Sequence, residues 1–252
     1  MRIYLAATTS GIGDLREETI KQCKPLYLLE TFFNGEKKCQ MVLNDVGREN
    51  FLLDSGAFSY MNGADVTLEL MEVYVDRYIQ FIKANKIKYY FEIDVDNIFG
   101  IEHVERWRRK IECETGGPCI SVWHKGRGVE YWKRMCQEYD YVAIGGLVFH
   151  VKKQEYDSIK QLLRYANQRG VKVHGLGFTK TKTLNEFGFY SVDSSTWNVA
   201  AARGQIMYHF KNGELSQRKV NKNGERVALQ KLIAHNMGEW VKYQKFMESI
   251  RI

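Results

Sequence analysis

From Tyr141 to Val192 the chain reads YVAIGGLVFHVKKQEYDSIKQLLRYANQRGVKVHGLGFTKTKTLNEFGFYSV. Three short apolar runs, Tyr141–Ile144, Val171–His174 and Phe189–Val192, are separated by amphipathic segments. Alternation of short apolar runs with helix-period stretches predicts strand–helix–strand–helix–strand, the repeating unit of a parallel sheet. The helices are expected over Tyr156–Gln168, closed by Gly170 just ahead of the next strand, and over Thr181–Phe187.

The same pattern extends outward in both directions. Further strands are predicted at Arg2–Ala6, Asn50–Leu53, Lys88–Ile93, Cys119–Trp123 and Gln205–His209. With the first three they make eight, the number a closed parallel barrel requires. Thr67–Asn85 reads TLELMEVYVDRYIQFIKAN and places Leu68, Met71, Val75, Tyr78, Ile79 and Ile82 on one helical face, with Thr67 as its N-cap. Glu225–Ile252 is long and amphipathic and is expected to pack across the barrel as a terminal helix pair. An open doubly wound sheet would show the same alternation, but no G-x-G-x-x-G or Walker sequence follows any strand. Strand count and a length of 252 residues favour a single α/β domain, a (β/α)8 TIM-type barrel with a C-terminal helical segment from about residue 210.

With 44% hydrophobic and 27% charged residues the chain can bury a substantial core, and with two prolines and no Pro/Gly/Ser-rich stretch it shows no linker. The apolar stretch at the N-terminus is too short for a signal peptide, and no run approaches the roughly 20 residues needed to span a bilayer. A cytoplasmic protein is expected. Cys23, Cys39, Cys113, Cys119 and Cys136 are an odd number without a C-x-x-C pair, so free thiols are expected. Cys113 and Cys119 bracket Gly116-Gly117-Pro118 but lack a second ligand pair, and ordinary loop or core positions suit them better than metal ligation. A net charge of +7 favours a polyanionic partner through phosphate neutralisation. The cations cluster at Arg106, Arg108, Arg109 and Lys110, at Lys125 and Arg127, and at Arg218, Lys219 and Lys222; for any one cluster a solvated helix or loop face is an equal reading.

In such a barrel catalytic groups sit at the C-terminal strand ends. The second predicted strand runs into Asp54-Ser55-Gly56-Ala57-Phe58 and the third ends Glu92-Ile93-Asp94. The fourth leads to His124, the fifth to Gly145-Gly146, the sixth to Gly175-Leu176-Gly177 and the seventh to Asp193. One such Asp commonly caps the next helix, and one such Gly relieves a tight turn. Three acidic ends on one face point instead to a site.

Asp54-Ser55-Gly56-Ala57-Phe58 resembles the D-S-G-G-F motif of tRNA-guanine transglycosylases, and more closely the D-S-G-A-F form of their relatives, the 7-deazaguanine DNA transglycosylases of phages and bacterial genomic islands. Further similar stretches follow in the family's order, at 91–94, 122–126, 144–147, 174–177 and 192–197. The resemblance implies that Asp193 is the nucleophile that attacks the sugar C1′ and that Asp54 is the acid/base for the departing and incoming bases. It implies that Asp94 reads the purine edge, with Phe58, His124, Gly145, Gly146, Gly175 and Gly177 lining the base pocket; a core aromatic is an equal reading of Phe58. The tRNA enzymes carry a C-terminal zinc site rich in cysteine, whereas no cysteine follows Cys136 here. No structural zinc or other cofactor is therefore expected, and this departure, with His124 where those enzymes have glutamine, favours DNA over tRNA as the partner. A tRNA-directed enzyme, a DNA base glycosidase and a catalytically silent nucleic-acid-binding barrel are the alternatives.

Overall fold

The computed structural model describes residues 1–61, 66–147, 156–178, 184–220 and 227–250, apart from the side chains of Phe58, Met61 and Asn185. Strands β1 (Arg2–Leu5), β2 (Leu28–Thr31), β3 (Phe51–Asp54), β4 (Ser121–Trp123), β5 (Tyr141–Ile144), β6 (Lys172–Gly175) and β7 (Ser191–Ser194) form one sheet ordered β3-β2-β1-β7-β6-β5-β4. Every pairing in it is parallel. A further pair, β8 (Ile206–Lys211) and β9 (Glu214–Lys219), is an antiparallel hairpin outside that sheet. The helices are α1 (Arg16–Cys23), α2 (Glu36–Val46), α3 (Ala57–Met61), α4 (Leu68–Asn85), α5 (Asp96–Phe99), α6 (Ile101–Thr115), α7 (Gly128–Glu138), α8 (Tyr156–Asn167), α9 (Thr196–Gly204) and α10 (Leu229–Ser249).

Successive strand residues face opposite sides of the sheet, and the buried residues divide accordingly. One set, including Tyr4, Tyr27, Leu29, Leu52, Phe91, Ile120, Val122 and Ala143, packs as a cluster of its own on the inner side. The other set, including Ile3, Leu5, Leu28, Phe51, Leu53, Val142 and Val173, meets the helices. The sheet is strongly curled: the ring of His174 on β6 lies 6.0 Å from Tyr4 on β1 and 5.1 Å from Phe91, beyond the far edge strand. The segment around Phe91 touches both edges. Tyr90 bridges Leu53 of β3 and Phe91 bridges Ile120 beside β4, each in the parallel sense.

Several expectations need correction. Of the predicted strand Lys88–Ile93 only Tyr90 and Phe91 pair, as single bridges. The predicted strand Gln205–His209 is not a stave of the sheet; it opens the hairpin, whose turn is Asn212-Gly213 with φ of 52° and 84°. These values fit the two left-handed positions of a tight hairpin turn, which Asn-Gly favours. The segment from residue 210 is thus partly strand, and among the described residues the tail is one helix, α10, rather than a pair. β2 stands where no strand was expected. Of Thr181–Phe187, residues 181–183 lie outside the described set and Leu184–Glu186 form a single 3-10 turn.

α4 follows its prediction: Thr67 caps it through its hydroxyl, which accepts from Leu70 N, and Met71, Val75, Tyr78, Ile79 and Ile82 are buried. α10 locks the N-terminal strands to the hairpin. The Gln244 amide donates to the carbonyls of Ile3 (2.6 Å) and Tyr27 (2.8 Å) and accepts from Leu26 N. Asn236 donates to Trp197 and Ile206 carbonyls and accepts from Tyr208 N at 2.8 Å. No helix of the described residues is long and apolar enough to cross a membrane.

Candidate active site

The sheet puts the polar residues singled out in the sequence along one rim. Asp54 is the last residue of β3, in register with Thr31 on β2. Asp193 lies one residue short of the end of β7, opposite Tyr4. Asp94 follows the Tyr90–Phe91 bridge segment, His124 follows β4, Gly145 and Gly146 follow β5, and Gly175 ends β6. Because all the strands run the same way, these are C-terminal ends on one side. The side chain of Phe58 lies outside the described set.

Asp54 is the electrostatic centre. Burial pushes its carboxyl up to about 7, the charges of Asp94 and Asp193 add to the rise, and the nearby Thr31 hydroxyl and the Gly56 N–H work against it. That both other aspartates act on Asp54 brings the three carboxylates into one electrostatic neighbourhood. Gly56 N donates to Asp54 Oδ2 at 3.2 Å, so Asp54 braces the turn ahead of α3, where a cap on that helix was the ordinary expectation.

His124 Nε2 and Asp94 Oδ2 are 2.7 Å apart. Burial works against the charged imidazole, but the hydrogen bond and charge of Asp94 prevail and raise it above its ordinary value. The ring needs a glycine next door: a Cβ on Gly145 would lie 2.4 Å from His124 Cε1. Gly145 is thus explained by close approach of a side chain.

Asp193 is held by two donors on one oxygen. Gly177 N is 2.7 Å from its Oδ1, and His174 Nε2 is 3.2 Å from the same atom. Gly177 reaches that position with φ of +65°, a left-handed conformation that favours glycine. His174 in turn meets Ser191 Oγ at 2.7 Å through Nδ1, and Ser191 Oγ lies 2.6 Å from Tyr141 Oη. Sequence reasoning gave these three residues no role, although His174 opens the similar stretch 174–177. The available signal was the period of two: Ser191 and Asp193 share the inner face of β7, and His174 is in register with Ser191.

Members of two of the basic clusters are paired within the fold. Arg127 has a side-chain exposure of 2% and pairs with Glu92 at 2.7 Å and Asp96 at 2.8 Å. Arg108 is buried against Glu92, Arg106 pairs with Glu72 and Lys110 with Asp76. Arg218 and Lys219 are exposed on β9, and residue 222 lies outside the described set. The five cysteines are free thiols, and no cluster of three or more potential metal ligands occurs among the described residues.

No protein-family model matches the sequence, and no curated protein matches it. Among solved structures it is similar to a putative fructose-1,6-bisphosphate aldolase from Coccidioides immitis, with a TM-score of 0.53 and 11% identity over 99% of this chain and 89% of that one. Weaker similarities are to the tryptophan synthase complex of Pyrococcus furiosus (TM-score 0.47, 15% identity, 95% of this chain and 96% of that one) and to the carboxyl transferase domain of Rhizobium etli pyruvate carboxylase (TM-score 0.48, 14% identity, 97% of this chain). The chain spans about half, 48%, of the length of the carboxyl transferase chain. At these identities the likeness speaks for the fold alone.

Proposed function

We propose that the chain is an enzyme, a base-exchange transglycosylase that replaces guanine in DNA with a 7-deazaguanine such as 7-cyano-7-deazaguanine. The observation that carries this reading is Asp54: a half-buried carboxyl, without a cationic partner among the described residues, pushed up to about 7 beside two further carboxylates. A group that titrates near the working pH can both give and take a proton in one cycle. In the first half-reaction a carboxylate oxygen of Asp193 bonds C1′ as the bond to guanine breaks, and Asp54 gives its proton to the departing base. In the second, Asp54 takes a proton from the incoming base, which bonds C1′ and releases Asp193. Asp94, fixed by His124, is the group to read the purine edge.

The same reading takes the curled sheet as a closed (β/α)8 barrel. Support comes from the single bridges of Tyr90 to Leu53 of β3 and of Phe91 to Ile120 beside β4, the two contacts an eighth stave in that gap would make. DNA is preferred to tRNA because His124 stands where the tRNA enzymes have glutamine and no cysteine follows Cys136 in this sequence; the basic charge suits either polyanion.

The test is incorporation of isotope-labelled 7-deazaguanine into single-stranded, mismatched and paired DNA and into tRNA. Incorporation into DNA is expected, fastest where the guanine is unpaired, because flipping a stacked base costs a few kcal/mol. Label in tRNA alone would move the assignment to the tRNA-directed class, and abasic DNA without label would make the protein a glycosidase. No reaction on any substrate would end the proposal.

A further inference from the structure

The structure assigns His174 as the positioning residue that fixes which oxygen of Asp193 attacks: a neutral imidazole donating from Nε2 to Oδ1, leaving Oδ2 as the nucleophile. This rests on the role proposed above for Asp193. The chain of contacts runs down the inside of the curled sheet, Tyr141 Oη to Ser191 Oγ at 2.6 Å, Ser191 Oγ to His174 Nδ1 at 2.7 Å, and His174 Nε2 to Asp193 Oδ1 at 3.2 Å. His174 is fully buried, with the rings of Tyr4 and Phe91 against it at 6.0 and 5.1 Å.

Donor and acceptor roles follow from what each end can do. Asp193 as a carboxylate only accepts. An Nε2 lone pair facing Oδ1 would set two acceptors against each other, so Nε2 carries the proton. In the neutral ring Nδ1 is then an acceptor, so the Ser191 hydroxyl must donate to it. Ser191 Oγ has spent its proton and accepts from Tyr141. Burial, the largest effect on Tyr141, pushes its phenol far above its ordinary value, so the phenol carries the proton this direction requires. With the ring neutral, as assigned, every hydrogen bond in the chain points the same way, towards Oδ1. Gly177 N donates to that atom as well, at 2.7 Å. Among the described residues Oδ2 takes no donor.

An orienting partner acts through the group that it holds, much as a hydrogen-bonded histidine is fixed by its own outer neighbour. The first measurement needs no turnover. A long-range proton–nitrogen spectrum of the resting protein with 15N-labelled histidine, His174 being assigned by its loss in His174→Gln, reports the tautomer directly. Protonated Nε2 with bare Nδ1 at neutral pH is expected, whereas an Nδ1–H tautomer or an imidazolium would overturn the assignment. The second compares His174→Phe, which keeps a ring but no donor, with His174→Gln, which keeps a donor near the Nε2 position. His174→Phe should lower kcat for base exchange by about 10- to 100-fold at unchanged KM for the oligonucleotide, with His174→Gln recovering most of the loss. Equal losses in the two variants, or none in His174→Phe, would overturn the positioning role. Should wild-type protein exchange no base at all, the proposed function fails, and the spectrum still decides the tautomer; it does so too if His174→Phe does not fold.

Discussion

Glu92, fully buried, and Asp54, half-buried, are carboxylates on neighbouring segments of the same sheet, yet their surroundings are opposite. Glu92 faces the helices. It receives Arg127 at 2.7 Å, Arg108 at 3.1 Å, and Val122 N at 2.8 Å. Asp54, at the end of β3, has one backbone donor among the described residues, Gly56 N at 3.2 Å, and two other aspartates acting on it. The alternation of the strands sorts them. Residues facing outward meet α6 and the turn before α7, which bring arginines to the charge. Residues at the inner rim meet other strand ends and the turns that follow them, as Asp193 meets Gly177. A charge that is neutralised serves the fold; a carboxyl left without a cation near neutrality is available for proton transfer.

The largest effect expected lies at the rim. Asp193→Asn should lower base exchange by roughly 10³-fold or more, since nucleophile replacements cost at least this order, while the circular dichroism spectrum and melting profile stay near wild type. Exchange at near-normal rate in this variant would remove Asp193 from the chemistry. On the outer face, Arg127→Ala strands Glu92 and Asp96, and a loss of about 3–5 kcal/mol is expected, as for a broken buried pair. Urea unfolding measures it, and a loss below about 1 kcal/mol would mean that the network is not holding the fold.

Asp54→Asn should move stability the other way, and only above mildly acidic pH. The unfolded carboxyl titrates near 3.8 and the folded one near 7, so between these values the folded state holds more proton. Stability from this group is therefore full below the unfolded value and is lost as pH rises through about 7. Asparagine cannot ionise, so the variant's melting temperature should exceed wild type by a margin that grows from pH 5 to pH 8, about 2–4 °C for each kcal/mol relieved. A margin independent of pH would contradict the raised carboxyl. The smallest effect is predicted for Arg106→Ala, whose pairing with Glu72 is half exposed: less than about 1 kcal/mol in the same urea titration.

How much of this could be read in the sequence depends on whether the determining contact is local. The Thr67 cap and the apolar face of α4 are local, and both were legible. So was the rim, because Asp54, His124, Gly145 and Gly175 each sit at or just beyond a strand end. β2 was not, since Leu28–Thr31 is short and carries Glu30, whose carboxylate accepts from Thr9 Oγ1 and Asn34 Nδ2; Thr9 is distant in sequence. The β8–β9 hairpin was announced by Asn212-Gly213 directly after an apolar run, a signal outweighed by the attraction of an eighth barrel strand. His174, Ser191 and Tyr141 look like ordinary strand residues until three strands align them.

The central claim, a covalent glycosyl–aspartate on this rim, is tested most directly by the intact mass of the protein after incubation with a guanine-containing single-stranded oligonucleotide. The account predicts an adduct equal to the oligonucleotide less guanine, mapped by peptide digestion to Asp193, chased by added 7-deazaguanine and absent from Asp193→Asn. Base exchange that proceeds with no adduct, or an adduct that maps to any other residue, would contradict it.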